Sequence, residues 1–399
     1  MKISNQEAKL IFNNAKMFLI NNWPNYNPSQ GCLYEKEGIA YLINGDIITE
    51  IDSGKLNLHG STVTNVEGVL TAIVDITEID NQEEITAVLI HELFHVHQLI
   101  NWKIISFPNP EFLITYPLIY ENEIYRQQEC ELLTGIHKNN NGRLSHLINL
   151  RTHREKIIDT QYMDYENSIE TVEGCAYYLE NEYLRSLSKR EFFGNNILED
   201  IKLKDLSSGS YRLQYLSKGA LLADAINKNI DDWKNTLETN EFTLYEIIKE
   251  YYTTDSYISG NQSEDDELKT RIKDKTDGDE IIKNELMKRD RLIEIIFENT
   301  PEVRMVDPMK MRGLSKGLIY HKSNIQLGRN EFFLRVKDTE ILTTYTESIW
   351  KIESLFIPLS VSSYFKNRLF EHESENLTIK WLVKDIVINQ NEIIRLFVA

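Results

Sequence analysis

Residues 90–98 read IHELFHVHQ. His91 and His95 are four apart, so on an α-helix of 3.6 residues per turn they project from one face and can both reach one metal ion. Glu92 is rotated by roughly 100° from His91. It flanks such an ion without ligating it and is free to take a proton from a water there. The donor set suits zinc, which takes neutral imidazoles and lowers the pKa of a bound water to about 7. Ala87 to Ile90 before the pair, and Leu93 and Phe94 within it, are apolar and predict a buried helix. Two imidazoles and a carboxylate in that setting need partners, and one metal ion satisfies all three. The competing reading is a packed histidine pair without metal. His97, two residues past His95, falls nearly opposite and is expected to pack or to support rather than to ligate.

A catalytic zinc keeps three protein ligands and one open position. No HxxGxxH continuation follows His95, so the third ligand comes from elsewhere. In YENSIETVEGCAYYLENEY (165–183), Glu166, Glu170, Glu173, Tyr177 and Glu180 form one helical stripe beside an apolar stripe of Ile169, Val172, Ala176 and Leu179. Carboxylates in such a row repel one another unless a cation compensates. Gly174 allows this helix to approach another backbone closely. Glu173 is the favoured ligand, Glu170 the alternative, and a solvated acidic face the competing reading.

Working outward, residues 5–22 predict an amphipathic helix that stops at the Pro- and Asn-rich NNWPNYNPSQG (21–31). Four β-like runs follow: IAYLI, DIITEI, STVTNV and VLTAIVDI. Asn44-Gly45 and Glu67-Gly68 are turn signals between them, so 38–78 predicts an antiparallel sheet. VLTAIVDI (69–76) is either an edge strand able to pair with an extended substrate or a buried core strand. The helix with IHELFHVHQ starts at Asp80 or Asn81, with Glu83 and Glu84 in its first turn. Helical patterns follow near 118–137, 143–160, 163–187, 212–228 and 279–297, and the polar 259–280 predicts an exposed loop or solvated helix. From 301 the texture is β-rich. The expected organisation is a domain over 1–300, with its sheet at 38–78 and helices at 79–300, and a small β-domain at 301–399. His321 and His372 lack ligand-spaced partners and are expected on the surface or in packing.

The formal net charge of −18 argues against nucleic acid or an anionic membrane as partner, because phosphate binding needs a basic face; a cationic peptide would be attracted. Cys32, Cys130 and Cys175 show no paired spacing, so neither a disulfide framework nor a zinc ribbon is expected. The first twenty residues lack an apolar h-region, and the longest apolar runs are too short to span a bilayer. The expectation is a soluble, cytoplasmic protein without a signal peptide.

Taken together, these segments resemble the gluzincin metallopeptidases, which carry HExxH on one helix and a glutamate on a later one. VLIHELFHVHQ (88–98) matches their active-site helix. TVEGCAYYLE (171–180) is similar to the Glu-Gly-Phe-Ala-x-Tyr segment of aminopeptidase N relatives. YLSKGALLADAI (215–226) is similar to the Tyr-x-Lys-Gly-Ala segment of aminopeptidase N, with one residue more after the tyrosine, and to the Tyr-Tyr-x-Lys-Gly-Ala run of glycyl aminopeptidases. The likeness covers roughly residues 60–230. It implies an α+β fold: a thermolysin-like zincin catalytic domain, with an N-terminal antiparallel sheet that offers an edge strand and a mainly helical remainder, plus the C-terminal β-rich domain. The long interval between His95 and Glu173 implies an inserted helical hairpin over about 101–160. The resemblance further implies Zn2+ held by His91, His95 and Glu173, Glu92 as general base, Tyr215 (or Tyr211) stabilising the oxyanion, and a peptide or protein substrate. NVEGVLTAIVDI (65–76) stands where aminopeptidases carry Gly-x-Met-Glu-Asn, which leans the expectation toward an endopeptidase. The competing class is a gluzincin-fold protein that has lost catalysis and binds a partner or senses metal; the intact Glu92 speaks against it.

Overall fold

A computed structural model of the chain describes residues 3–27, 30–36, 38–56, 58, 60–102, 108–139, 144–188, 195–240, 242–252, 265–288, 292–306, 310–315, 317–322, 325–329, 332–337, 339–358, 364–366, 369–373, 377–388 and 394–398. In chain order the elements to residue 287 are α1 (Asn5–Asn22), β1 (Gln30–Tyr34), β2 (Ile39–Asn44), β3 (Ile47–Asp52), β4 (Thr62–Val66), β5 (Val69–Asp75), α2 (Gln82–Asn101), α3 (Pro110–Ile114), α4 (Tyr120–Asn139), α5 (Leu144–Arg154), α6 (Thr160–Ser188), α7 (Asn195–Asp200), α8 (Ser208–Asn229), α9 (Trp233–Asn240), α10 (Leu244–Tyr251) and α11 (Asp266–Met287). Twelve strands follow: β6 (Leu292–Phe297), β7 (Glu302–Val306), β8 (Met311–Ser315), β9 (Leu318–His321), β10 (Ile325–Arg329), β11 (Phe332–Val336), β12 (Ile341–Tyr345), β13 (Ile352–Pro358), β14 (Tyr364–Lys366), β15 (Leu369–Glu373), β16 (Leu377–Ile388) and β17 (Ile394–Val398). The chain is α+β. It forms two compact units: Met1–Pro108, Glu121–Lys204 and Leu213–Asn261 make up the first, Asn109–Tyr120, Asp205–Arg212 and Gln262–Ala399 the second. No helix among the described residues is long and apolar enough to cross a membrane.

In the first unit, α1 starts on a capping box in which Ser4 and Glu7 satisfy each other's backbone N–H. It buries Ala8, Ile11, Phe12, Ala15 and Leu19, the stripe of a half-buried helix. The sheet runs β3-β2-β1-β5-β4. Its outer pairs are antiparallel, but β1 and β5 are parallel, so the sheet is mixed rather than antiparallel as the turn signals predict. The difference is β1, which the sequence pattern does not announce. All five of its residues are buried, and a strand covered on both faces shows no alternation. Insertion of β1 places β5 in the interior, so VLTAIVDI is not an edge strand; the edge beside it is β4. The hairpin loops are Gly45-Asp46 and Glu67-Gly68. Gly45 has φ +59°, and Glu67 and Gly68 have φ +52° and +86°, the left-handed conformations that tight hairpins need.

α2 begins at Asn81, whose side chain accepts from the Glu84 N–H, and packs against β5, α1 and α6. α6 and α8 cross where Gly174 meets Gly219. A methyl group on Gly174 would collide with the Gly219 backbone, and one on Gly219 with the Glu170 carbonyl oxygen and Gly174 Cα. Two glycines at one crossing let the helix backbones touch.

In the second unit α11 ends at Met287 and residues 292–297 are strand β6, which corrects the helix expected over 279–297. LIEIIF is a short β-branched apolar run, and such a run reads equally as buried helix or strand. The polar 259–280 is helical from Asp266, while 259–264 lie outside the described residues. The sheet order is β7-β10-β11-β16-β17-β6-β13-β12-β9-β8, with β14 and β15 attached through β15 to β16. β16 pairs with β11 and β15 along its first half and with β17 along its second. Strands from both halves bury Ile295, Leu327, Leu334, Leu355 and Trp381 in one core. α11 contributes Leu286 to a second cluster with Leu292, Tyr320, Leu342 and Phe356. The unit therefore starts with α11 and takes in 109–120 and 205–212, whereas the sequence texture puts the change at 301. His321 is buried, with Nε2 2.8 Å from Thr343 Oγ1; the side chain of His372 lies outside those described.

Gly219→Ala is expected to cost on the order of 1–3 kcal/mol or more through overpacking. Gly135→Ala, where a Cβ meets nothing within 4 Å, should be neutral or stabilising by up to about 1 kcal/mol, because glycine is a poor helix former. Denaturant midpoints check both. Burial lowers the His321 pKa from 6.5 to about 3. The unfolded chain therefore binds that proton first, and stability is lost as pH falls from 6.5 toward 3. His321→Gln, which cannot ionise, should flatten the acid limb of the stability curve; parallel limbs would refute this.

Candidate metal centre

α2 and α6 bring three side chains to one point. His91 Nε2 and His95 Nε2 are 3.0 Å apart, and each is 3.6 Å from Glu173 Oε2. The three form a group able to hold a metal ion, buried or nearly so. A tetrahedral ion with donors at 2.0–2.1 Å holds those donors about 3.4 Å apart, so the observed triangle has the right size.

Outer contacts decide which atoms face inward. His91 Nδ1 lies 3.0 Å from Glu180 Oε2, an acceptor, so Nδ1 carries a proton and Nε2 is the nitrogen turned toward His95 and Glu173. His95 Nδ1 lies 2.6 Å from Gln98 Oε1. The Gln98 amide is oriented by donating from Nε2 to the Val172 carbonyl at 2.9 Å, so His95 adopts the same tautomer. Partners of this kind orient metal-binding histidines. Two imidazole nitrogens and a carboxylate oxygen thus face one point. Burial opposes charging His91, yet hydrogen bonds to Glu173 and Glu180 outweigh it and raise its pKa from 6.5 to about 10. The pocket draws positive charge. Glu92 is buried beside this centre. Burial pushes its carboxyl upward, His91 and His95 pull it down, and it makes no hydrogen bond among the described residues.

The carboxylate stripe of α6 divides in two. Glu170 accepts from Arg151 Nη2 at 2.5 Å and pairs with Lys218 Nζ at 2.9 Å. Glu166 pairs with Arg154. Glu129 of α4 lies 2.8 Å from Arg154 Nη1 and 2.7 Å from Lys218 Nζ. Glu129, Glu166 and Glu170 are close enough to hold a cation, but Arg151, Arg154 and Lys218 already fill that role, all of them buried. Glu170 is thus engaged elsewhere, and Glu173 is the carboxylate that faces the histidines.

Tyr215 is grouped with other residues. Its buried ring packs edge-on to Tyr165, with centroids 6.2 Å apart, and Lys218 Nζ is 5.5 Å from its centroid. On α6, Tyr165 precedes Glu173 by about 12 Å of helix axis. Tyr211 belongs to the second unit and packs on Tyr116. His97 faces away from the trio, with Nε2 2.6 Å from Glu238 Oε1, which also accepts from Trp23 Nε1. Sequence reasoning missed Gln98 and gave Glu180 no role. Glu180 was visible as a member of the Glu173 stripe, and Gln98 as the residue one turn past His95. Comparison of the chain with protein-family models, curated proteins and solved structures gave no match.

If the trio holds a metal ion, Glu180→Ala and Gln98→Ala are each expected to weaken its binding 10–100-fold, as loss of an outer partner does, in a chelator-competition titration. Glu170→Ala should leave zinc affinity near wild type and destabilise the fold by about 3–5 kcal/mol, because it strands buried cations.

Proposed function

We propose that the chain is a zinc-dependent metallopeptidase of gluzincin type whose first unit is a thermolysin-like zincin domain. The observation that carries this reading is the inward-facing triangle of His91 Nε2, His95 Nε2 and Glu173 Oε2, beside a buried Glu92 that makes no hydrogen bond among the described residues. Imidazole and carboxylate donors at tetrahedral spacing fit zinc. A bound zinc supplies a Lewis acid that makes water nucleophilic near neutral pH. The chain supplies the proton path. The Glu92 carboxylate accepts a proton from the attacking water and returns it to the nitrogen of the leaving amine, so no net proton is lost. Burial holds the Glu92 pKa above the ordinary carboxylate value, which suits a group that must both take and give a proton. Glu180 and Gln98 keep the two imidazoles in the ligating tautomer. An extended peptide would add to the sheet at its edge strand β4. The absence of a Gly-x-Met-Glu-Asn segment favours internal peptide bonds as substrate. The oxyanion role implied for Tyr215 draws no support from its packing with Tyr165 and Lys218.

Metal analysis and hydrolysis of a quenched peptide library, on wild type, Glu92→Gln and Glu173→Ala, test this together. The expected result is about one zinc per chain in wild type and in Glu92→Gln, and loss of zinc in Glu173→Ala. Hydrolysis in Glu92→Gln should fall 10²–10⁴-fold. Full activity of zinc-loaded Glu92→Gln would sink the mechanism. Zinc bound without hydrolysis of any peptide would leave a metal-binding protein, and no zinc uptake at all would leave a packed histidine pair.

A further inference from the structure

A cavity of about 370 Å³ opens in the first unit between α4, the residues just past α7 and the start of α8. Its volume is in the range of small-molecule sites. None of its lining residues lies on α2 or α6, the helices of the metal centre. Arg126, Lys138, Lys202 and Lys204 line it, against one carboxylate, Glu131. That balance stands out in a chain of net charge −18, where an unselected surface would be acidic. Lys138 and Lys202 are exposed and make no ion pair among the described residues. Arg126 is buried and held rigidly, its Nε 3.0 Å from Glu123 Oε2 and its Nη1 on Gln214 Oε1. Cys130, Ile201 and Leu203 give the lining an apolar part, beside the uncharged polar Gln127, Thr134 and Gln214. Cations beside an apolar wall match a ligand with one charged end and one greasy end.

We propose that this cavity is a second binding site that takes a small amphiphilic anion, a carboxylate or phosphate ester on an apolar group of several carbons. The lysines meet the charged head and the Cys130–Ile201–Leu203 wall the tail. The site does not depend on the metal centre, and its test needs neither zinc nor activity. Gly135, on the lining stretch of α4, offers a control: a Cβ there meets nothing within 4 Å. A leucine there adds bulk at the lining itself, in a helix that gains from losing glycine.

The experiment is calorimetric titration of the full chain with octanoate, octyl phosphate, octan-1-ol and inorganic phosphate. It is run on wild type, Lys138→Glu/Lys202→Glu and Gly135→Leu, with melting curves as the check on folding. The expected result is saturable binding of octanoate or octyl phosphate to wild type, weakened at least tenfold in both variants at melting temperatures no lower than that of wild type. Octan-1-ol and inorganic phosphate should bind at least tenfold more weakly, and the tighter of the two anions identifies the head group. Octan-1-ol binding as tightly as the anions would overturn the assignment of charge. Anion binding unchanged in Gly135→Leu would overturn the location. No saturable binding of either anion to wild type would overturn the site.

Discussion

The backbones of α6 and α8 touch at Gly174 and Gly219, and this contact sets where the carboxylates of α6 can go. A helix that approaches another so closely cannot rotate or slide without moving both. With that crossing in place, Glu170 is presented to Lys218 one residue before Gly219, and Glu173, just before Gly174, is turned to α2. The candidate metal centre is therefore held by packing, one residue away from the tightest spot in the unit.

The same crossing explains how so many acidic groups share one helix. Glu166 and Glu170 are buried with Arg151, Arg154 and Lys218, each ion close to an opposite one. Dry carboxylates survive only when so matched. Glu173 and Glu180 meet histidines. One stripe of a single helix thus takes part in two clusters, one of carboxylates with arginines and a lysine, the other of carboxylates with histidines. In the second, hydrogen bonds to Glu173 and Glu180 raise the pKa of His91 against its burial.

Much of this was legible beforehand because it is local. Helical spacing alone puts His91 with His95 and lines up Glu166, Glu170, Glu173 and Glu180. Asn81 and the Glu67-Gly68 turn lie where the capping and turn rules place them. What was illegible is non-local. Which glutamate is matched depends on Arg151 and Arg154 of α5, whose approach to α6 leaves no trace in spacing. β1 is covered on both faces and so lacks a period, and without it β5 reads equally as an edge or as a core strand. LIEIIF could be placed in a helix or a strand until its neighbours, β13 and β17, were known. Tyr215 was assigned by likeness of sequence, and its surroundings are those of a core aromatic beside the ionic cluster.

The parallel pairing of β6 with β17 bears on the order in which this protein can be made. β6 is the first strand of its sheet to be synthesised and β17 the last, yet they lie side by side. The second unit therefore has high contact order, and its sheet stays open at β6 while about a hundred residues are added at ribosomal pace, some 5–20 residues per second. For those seconds the half-covered apolar strand LIEIIF is exposed to other chains. Synthesis is thus a stage at which an unpaired strand edge of the second unit is open to aggregation.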